Sequence, residues 1–288
     1  MTSPGAPPSN DQQRAGARQT PEIVRRLLSA VVLAAIALGA VIVSPWSFLA
    51  LVAIGGGLLA WEWGSLTRGN GFDGTALIEA VAVIATAILV ALGRPDLVLF
   101  ILGAVAVTIA FSSPSRDRTV WALGGLAYIA FPAWALVWLR SDPTLGVAAV
   151  LYLLAVAWTT DTTSYVGGRS FGGPKLLPSI SPKKTWSGFI VGTLTPALVG
   201  YAFALVLGAT SPWRLALLSV GLALACQIGD LLESAVKRHF GAKDMSQLIP
   251  GHGGLFDRID SLLLAAVVAG LIALLRDPAA PGAGLLIW

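Results

Sequence analysis

The chain has 288 residues, of which 56% are apolar and only 12% are charged, about half the charged share of an ordinary soluble domain. This composition predicts a membrane-embedded protein and excludes a soluble globular domain. The net charge of +4 is dispersed between apolar segments, so we expect no nucleic-acid partner. Cys226 is the only cysteine, which excludes disulfides within the chain and cysteine-based metal sites.

The N-terminal segment, residues 1–24, is rich in Pro, Ser, Gly and Gln without apolar periodicity, which predicts a disordered cytoplasmic tail. The first apolar run begins at Leu27, behind Arg25 and Arg26. Its end weakly resembles a signal-peptide cleavage site. The many apolar segments that follow favour a retained membrane anchor instead.

Nine apolar segments follow one another along the chain. A membrane-spanning helix needs about 20 mostly apolar residues, and the fourth segment is the shortest. We therefore expect an all-α, polytopic integral membrane protein with about nine transmembrane helices. The segments are 27–43, 46–63, 75–93, 97–111, 119–139, 144–160, 187–208, 212–232 and 255–275.

The positive charges predict the orientation, because cytoplasmic loops carry an excess of Lys and Arg. With the N-terminus inside, only Arg94, Arg140, Arg214 and Arg276 of the 19 Lys and Arg residues fall outside. This segregation favours an N-in, C-out, multi-pass protein of the cell (inner or plasma) membrane. The polar connections 161–186 and 233–254 then both lie on the cytoplasmic side.

After the tail, we divide the chain into three regions. The first holds N-terminal transmembrane helices, the second is a C-terminal catalytic transmembrane region, and the third is a short tail. Their bounds are 25–140, 141–276 and 277–288.

The first polar segment, 161–188, opens with Asp161 and contains two Gly-Gly pairs and three lysines. Free backbone N–H groups at such glycines, with lysines nearby, are typical of a phosphate site. A Walker A loop is excluded because Pro174 stands where that motif needs Lys. A flexible, positively charged cytoplasmic loop is the alternative.

The second polar segment, 227–238, carries four functional side chains on one helical face. Asp230, Glu233, Ser234 and Lys237 have the spacing i, i+3, i+4 and i+7. A carboxylate at membrane depth normally faces a partner or a water-filled cavity. The alternative is that Lys237 simply neutralises Glu233 one turn away.

In the third polar segment, 250–260, glycines surround His252 ahead of Asp257 and Asp260. Either carboxylate can cap the following helix, but two of them in an oxygen-rich, sulfur-free cluster favour Mg²⁺. Zinc is disfavoured because His239 and His252 lack a zinc-binding spacing. The three segments together indicate nucleotide chemistry at the membrane surface.

The stretch SAVKRHFGAKDMSQLIPGHGGLFDRID, 234–260, resembles the signature of the phosphatidate cytidylyltransferase (CDP-diacylglycerol synthase) family. Upstream, Asp161, Tyr165 and SPKKTW, 181–186, also resemble that family, so the similarity covers the C-terminal half. The chain departs from the usual Asp-x-Gly-Ala-Tyr pattern at Thr163 and Ser164, and again at Ser187, where an acidic or amide residue is usual.

The resemblance implies a membrane enzyme of phospholipid biosynthesis that uses CTP and phosphatidic acid in the lipid bilayer. Its products are CDP-diacylglycerol and pyrophosphate, formed by attack of the lipid phosphate on the CTP α-phosphorus with one or two Mg²⁺ ions. It also implies a possible homodimer. The rival functions are another CTP-dependent membrane lipid kinase or transferase, and a carboxylate-coupled secondary transporter.

The site residues implied by the resemblance fall into two groups. Catalytic roles are carried over to Asp230, Asp257, Asp260 and Lys237, with Asp230 and Asp257 as metal ligands. The substrate-binding positions are Asp161, Lys175, Ser181, Lys183, Lys184, Ser234, Arg238, Lys243, His252 and Arg258.

Overall fold

The computed structural model describes residues 28–249 and 253–288, which are almost entirely helical. The predicted tail, 1–24, lies outside the described residues. The helices are α1 Leu28–Val43, α2 Pro45–Arg68, α3 Gly74–Ala91, α4 Val98–Ser112 after a 3₁₀ turn at Pro95–Leu97, α5 Arg116–Arg140, α6 Gly146–Phe171, α7 Trp186–Leu194, α8 Pro196–Val206, α9 Pro212–His239, α10 Phe256–Arg276 and α11 Pro281–Leu286.

Within the described ranges, eight helical segments are long and apolar enough to cross a membrane, and α1 is a shorter apolar helix. The prediction of an all-α membrane protein is confirmed. The seventh predicted span consists of α7 and α8, which meet at Thr195. Pro196 lacks a backbone N–H, so it interrupts the hydrogen-bond ladder within this span.

Two of the helices that carry the polar segments extend beyond their predicted spans. The predicted spans end at residues 160 and 232, whereas α6 continues to Phe171 and α9 continues to His239. The polar residues of these extensions are therefore held on rigid helix rather than on loops. Beyond α6, Gly172 and Gly173 both have positive φ angles, of 60° and 99°, which glycine adopts without steric cost.

One β-hairpin departs from the all-helical prediction. Strands β1 (Lys175–Leu177) and β2 (Ser181–Thr185) pair antiparallel. Pro178 is the second residue of the connecting turn, a position that its fixed φ favours, and the Ile180 N–H donates to the Leu177 carbonyl at 3.2 Å. The hairpin is thus closed by its turn, and it presents lysines from both strands.

The helices pack around two apolar clusters. One is built mainly from α5, α6, α9 and α10, and the other from α2, α3, α4 and α5. On α7, Gly188 and Gly192 pack against α6, where a Cβ at Gly188 would lie 2.6 Å from the Ser164 carbonyl oxygen. The small residues of this GxxxG pair therefore let α7 pack closely against α6.

Candidate active site

A cavity of about 690 Å³ lies where the ends of α6 and α9 meet the start of α10 and the β-hairpin. We call it the polar cavity. All three polar segments singled out in the sequence contribute to its walls. Nine of the predicted site residues line it: Asp161, Lys175, Lys183, Lys184, Asp230, Lys237, Asp257, Arg258 and Asp260.

Three carboxylates converge on one side of the polar cavity. Asp230, Glu233 and Asp260, which we call the acidic cluster, each offer an oxygen. These oxygens lie within 4.8 Å of one another. Asp230 and Glu233 are neighbours on α9, as their spacing predicted, and Asp260 comes from α10. Carboxylates this close repel one another unless a cation lies between them, so this oxygen-only donor set fits Mg²⁺.

Asp257 has a different environment. Its Oδ1 lies 2.6 Å from Nζ of Lys237, and its Oδ2 accepts backbone N–H bonds from Met245 at 2.9 Å and Gly254 at 2.8 Å. The side chain is only 4% exposed. Both oxygens therefore have protein partners, although the residue still lines the cavity.

Lys237 connects Asp257 to the acidic cluster. Its Nζ also lies 2.6 Å from Oε2 of Glu233, one turn earlier on α9. The predicted ion pair within α9 is thus present, and it coexists with cavity-facing carboxylates. An ion pair within α9 and carboxylates that face a cavity are the alternatives that the sequence predicts for this segment, and they are compatible.

Asp161 lines the polar cavity from α6. Its Oδ2 accepts a 3.0 Å hydrogen bond from the hydroxyl of Ser261, the residue after Asp260. This contact ties α6 to α10 across the cavity.

The basic wall comes from the hairpin. The Nζ of Lys184 forms a 2.6 Å ion pair with Oδ2 of Asp230. Lys183 and Lys175 also line the cavity, where the Lys175 ammonium donates to the Lys183 carbonyl at 3.5 Å. The cavity therefore brings the hairpin lysines next to the acidic cluster.

Four predicted residues lie beside the cavity rather than in its lining. The Ser234 hydroxyl donates to Asp230 at 3.5 Å, so it adjoins the acidic cluster. The Arg238 guanidinium donates to the carbonyls of Ile180 and Ala242, and it thereby connects α9 to the hairpin turn. Ser181 and Lys243 do not line the cavity.

His252 lies outside the described residues, so its predicted substrate-binding role stays a prediction.

Glu62 was missed by the sequence reasoning. It is fully buried near the end of α2, and it accepts hydrogen bonds from the backbone N–H groups of Leu255 and Phe256, both at 2.8 Å, and from the Ser246 hydroxyl at 2.6 Å. These bonds fix the start of α10 and the loop before it. A lone acid inside the second apolar segment was the available signal, because such residues need a partner.

The departures from the family pattern have structural partners. The Ser187 hydroxyl donates to the Gly172 carbonyl and lies 3.0 Å from the Thr185 hydroxyl, which joins α7 to the glycine pair. Ser164 packs against Gly192, where a larger residue on α7 would clash. Both serines therefore contribute to holding α6 and α7 together.

Fold and site together define a polytopic membrane protein with a carboxylate cluster and a lysine wall in one cavity, a combination that suits a metal ion and phosphate groups. Residues 24–275 match the cytidylyltransferase family. The chain belongs to this family, and it is therefore an enzyme of the nucleotidyltransferase class.

Individual relatives carry a more specific name. Proteins named phosphatidate cytidylyltransferase from Brucella suis and Brucella abortus are 37% and 38% identical to the chain, over 90% and 88% of it and 96% and 94% of their own lengths. One from Staphylococcus haemolyticus is 40% identical over 46% of this chain and 50% of its own.

Proposed function

We propose that the chain transfers the cytidylyl group of CTP to phosphatidic acid, giving CDP-diacylglycerol and pyrophosphate in phospholipid biosynthesis. The observation that carries this proposal is the polar cavity, in which the hairpin lysines face the acidic cluster. It is supported by family membership and by the name of relatives that align over nine-tenths of the chain.

The chemistry requires positioning more than a protein nucleophile. An oxygen of the lipid phosphate attacks the α-phosphorus of CTP in line, and the bond to the pyrophosphate oxygen breaks. Because the attacking phosphate is already anionic, no side chain has to form a covalent intermediate. The protein must bring two anions together and neutralise their charge.

The acidic cluster is our candidate magnesium site. Asp230, Glu233 and Asp260 would hold an ion, and a ligand role for Asp257 stays a prediction because both its oxygens have protein partners. Bound Mg²⁺ supplies charge neutralisation for the triphosphate and the leaving pyrophosphate.

The cationic side chains have separate tasks. Lys175 and Lys183 face the cavity as point charges suited to the triphosphate of CTP. Lys184 pairs with Asp230 and orients that carboxylate, and Lys237 does the same for Asp257. Arg258, at the edge of the cavity, is placed for the lipid phosphate.

The cavity would open to the cytoplasm, where CTP is available, and the protein would lie in the cell (inner) membrane. This placement rests on the distribution of positive charge and on the cluster of polar segments at one end of the helices. The homodimer implied by the resemblance is expected in detergent solution and can be checked by light scattering.

The test is a product assay with purified protein in detergent, CTP labelled at the α-phosphate, phosphatidic acid and Mg²⁺. We expect label in the extracted lipid and release of pyrophosphate in equal amounts. CDP together with a phosphorylated lipid would identify a kinase instead. No turnover of CTP would contradict the proposal and leave transport as the rival function.

A further inference from the structure

A second cavity, of about 460 Å³, lies between α1, α2, α5, α6 and α10. We call it the apolar groove. Among the described residues, its lining is made of aliphatic side chains, glycines and two aromatic rings, with Arg258 as the only charged residue. The residues that matter here are Leu33, Phe48, Gly55, Trp158, Arg258 and Ile259.

Arg258 lines both the apolar groove and the polar cavity. Its side chain is exposed and forms no ion pair or hydrogen bond with another residue of the described ranges. The guanidinium therefore stands at the junction of the two cavities, and no described residue is bonded to its donors. A planar, bidentate donor of this kind suits a phosphate group.

The length of the groove matches one leaflet of a bilayer. Its α2 wall runs from Phe48 to Leu59, which is about 16 Å at 1.5 Å per helical residue. The hydrocarbon core of a bilayer is about 30 Å thick, so the groove covers roughly half of it. Trp158 and Ile36 in its wall are 43% and 50% exposed, so the groove borders the surrounding lipid.

We propose that the apolar groove binds an acyl chain of the lipid substrate while Arg258 holds that lipid's phosphate at the junction. The inference deepens the proposed function and rests on it. A molecule with a phosphate at one end and a hydrocarbon chain at the other can place its phosphate at Arg258 and its chain in the groove. A nucleotide has no apolar chain to place there. The enzyme should therefore discriminate between phosphatidic acids by chain length.

Gly55 allows a direct test. A Cβ at this position would have Leu255 Cδ2 as its nearest contact, at 3.9 Å, so a larger side chain enters the groove without a backbone clash. In Gly55→Phe we expect the ratio of kcat/KM for dioleoyl over dihexanoyl phosphatidic acid to fall about tenfold, the loss expected when apolar contacts in a pocket are removed. The KM for CTP should not change.

Gly57→Phe is the matched control. Gly57 lies on the same helix, lines neither cavity and has no atom within 4 Å of an added Cβ. Gly57→Phe introduces the same side chain as Gly55→Phe. Its kcat/KM ratio for the two phosphatidic acids should stay at the wild-type value. An unchanged ratio in Gly55→Phe, or an equal fall in both variants, would overturn the inference.

A second measurement does not depend on turnover. Wild-type protein in phosphatidylcholine nanodiscs is irradiated with a phosphatidic acid that carries a diazirine at the end of each acyl chain. We expect labelled peptides from α1, α2 and α6 at groove positions, and protection by excess phosphatidic acid but not by added phosphatidylcholine.

Label spread over the outer helix faces, or equal protection by both lipids, would show a general lipid surface and overturn the inference. Failure of the proposed function has a different signature, because wild-type protein would then form no CDP-lipid from either phosphatidic acid. The two failures are therefore distinguishable.

Discussion

The carboxylates of Asp230 on α9 and Asp260 on α10 lie close together at one side of the polar cavity, with Glu233 beside them. Their closeness costs electrostatic free energy in the absence of a cation. A bound cation would offset this electrostatic cost. These residues should therefore matter more for activity than for stability.

We predict that Asp230→Asn and Asp260→Asn each lower cytidylyl transfer by roughly 10²–10³, the usual effect of removing an electrostatic catalytic group. The melting temperature of Asp260→Asn in detergent should stay the same or rise, because a like-charge repulsion is relieved, whereas Asp230→Asn also loses the ion pair with Lys184. The double variant should lose far less than the product of the two losses, because ligands of one ion act as a unit.

Asp117→Asn, an exposed change at the start of α5, is the control and should retain full activity. Normal turnover by either cavity variant at limiting Mg²⁺ would contradict the metal assignment.

Asp257→Asn separates a ligand role from a structural one. The carboxylate satisfies Lys237 on one oxygen and two backbone N–H groups on the other, and an amide has only one acceptor atom. We expect a loss of stability of about 1.5–3 kcal/mol, the range for hydrogen bonds to a charged group, measured by denaturation in detergent. An unchanged stability together with a 10²–10³ loss of turnover would instead assign Asp257 to the metal.

The sequence predicted nine of the residues that line the polar cavity, and those on α9 and α10 follow from their helical spacing. It did not predict the division of labour among the acids. Asp257 and Asp260 have the same i, i+3 relation to each other as Asp230 and Glu233. Only the approach of Lys237 and of the backbone at Met245 shows that Asp257 is already paired.

At the scale of elements, a buried carboxylate from another helix caps the start of α10. Glu62 of α2 takes the place of an N-cap side chain, since α10 has no side-chain cap of its own. A negative charge at this end also complements the helix dipole. The start of α10 carries Asp257 and Asp260, so the cap holds the site in place.

We predict that Glu62→Gln lowers stability by about 1–3 kcal/mol, because one of the buried partners loses its acceptor. Turnover should fall with no change in the KM for CTP, because Glu62 positions residues of the site without lining it. Ser246→Ala removes only the hydroxyl that donates to Glu62, so it should lower stability less than Glu62→Gln does. Wild-type stability and turnover in Glu62→Gln would show that the cap is dispensable.

At the opposite end of the bundle, Asp142 joins two helices. Its Oδ1 accepts N–H bonds from Thr144 and Leu145 at the start of α6, and its Oδ2 accepts one from Gly282 at the start of α11, all at 2.9 Å. Burial works to raise the pKa of Asp142, but the hydrogen bonds from Leu145, Thr144 and Gly282 outweigh it and lower the pKa below its ordinary value.

This direction fixes the sign of the pH dependence. Because the folded state lowers the pKa of Asp142, its contribution to stability is complete above the unfolded pKa of about 4 and is lost as pH falls through the folded pKa. We predict that melting temperatures recorded from about pH 6 down to about pH 3 fall less steeply for Asp142→Asn than for wild type. Parallel curves would contradict this role.

The hairpin shows where prediction from sequence stopped at this scale. Residues 175–185 have neither a regular alternation of apolar residues nor a long β-branched run. Their pairing depends on the turn at Pro178 and on contact with α7 and α9. The helices, in contrast, follow from long apolar segments that a bilayer forces to satisfy their own backbone hydrogen bonds.

For the whole molecule, contacts at the two ends agree with a chain that alternates direction from helix to helix. Near the end of α2, Glu62 bonds to the start of α10 on the side of the polar cavity. Just after α5, Asp142 bonds to the start of α11 on the other side. These two contacts agree with the alternation that charge counting predicts, and the choice of cytoplasmic side stays a prediction.

Single cysteines test that choice. Ser179, at the hairpin turn, and Gln247, in the loop before α10, are both exposed at the cavity end, and Thr210, between α8 and α9, is exposed at the other end. Native Cys226 is buried, so its background labelling should be low. In intact cells, a membrane-impermeant maleimide should label Thr210→Cys only, and Ser179→Cys and Gln247→Cys should react only after the cells are opened. Labelling of the hairpin turn from outside would reverse the orientation and place the polar cavity away from CTP, whereas labelling of all three sites from outside would contradict a membrane-spanning arrangement between them.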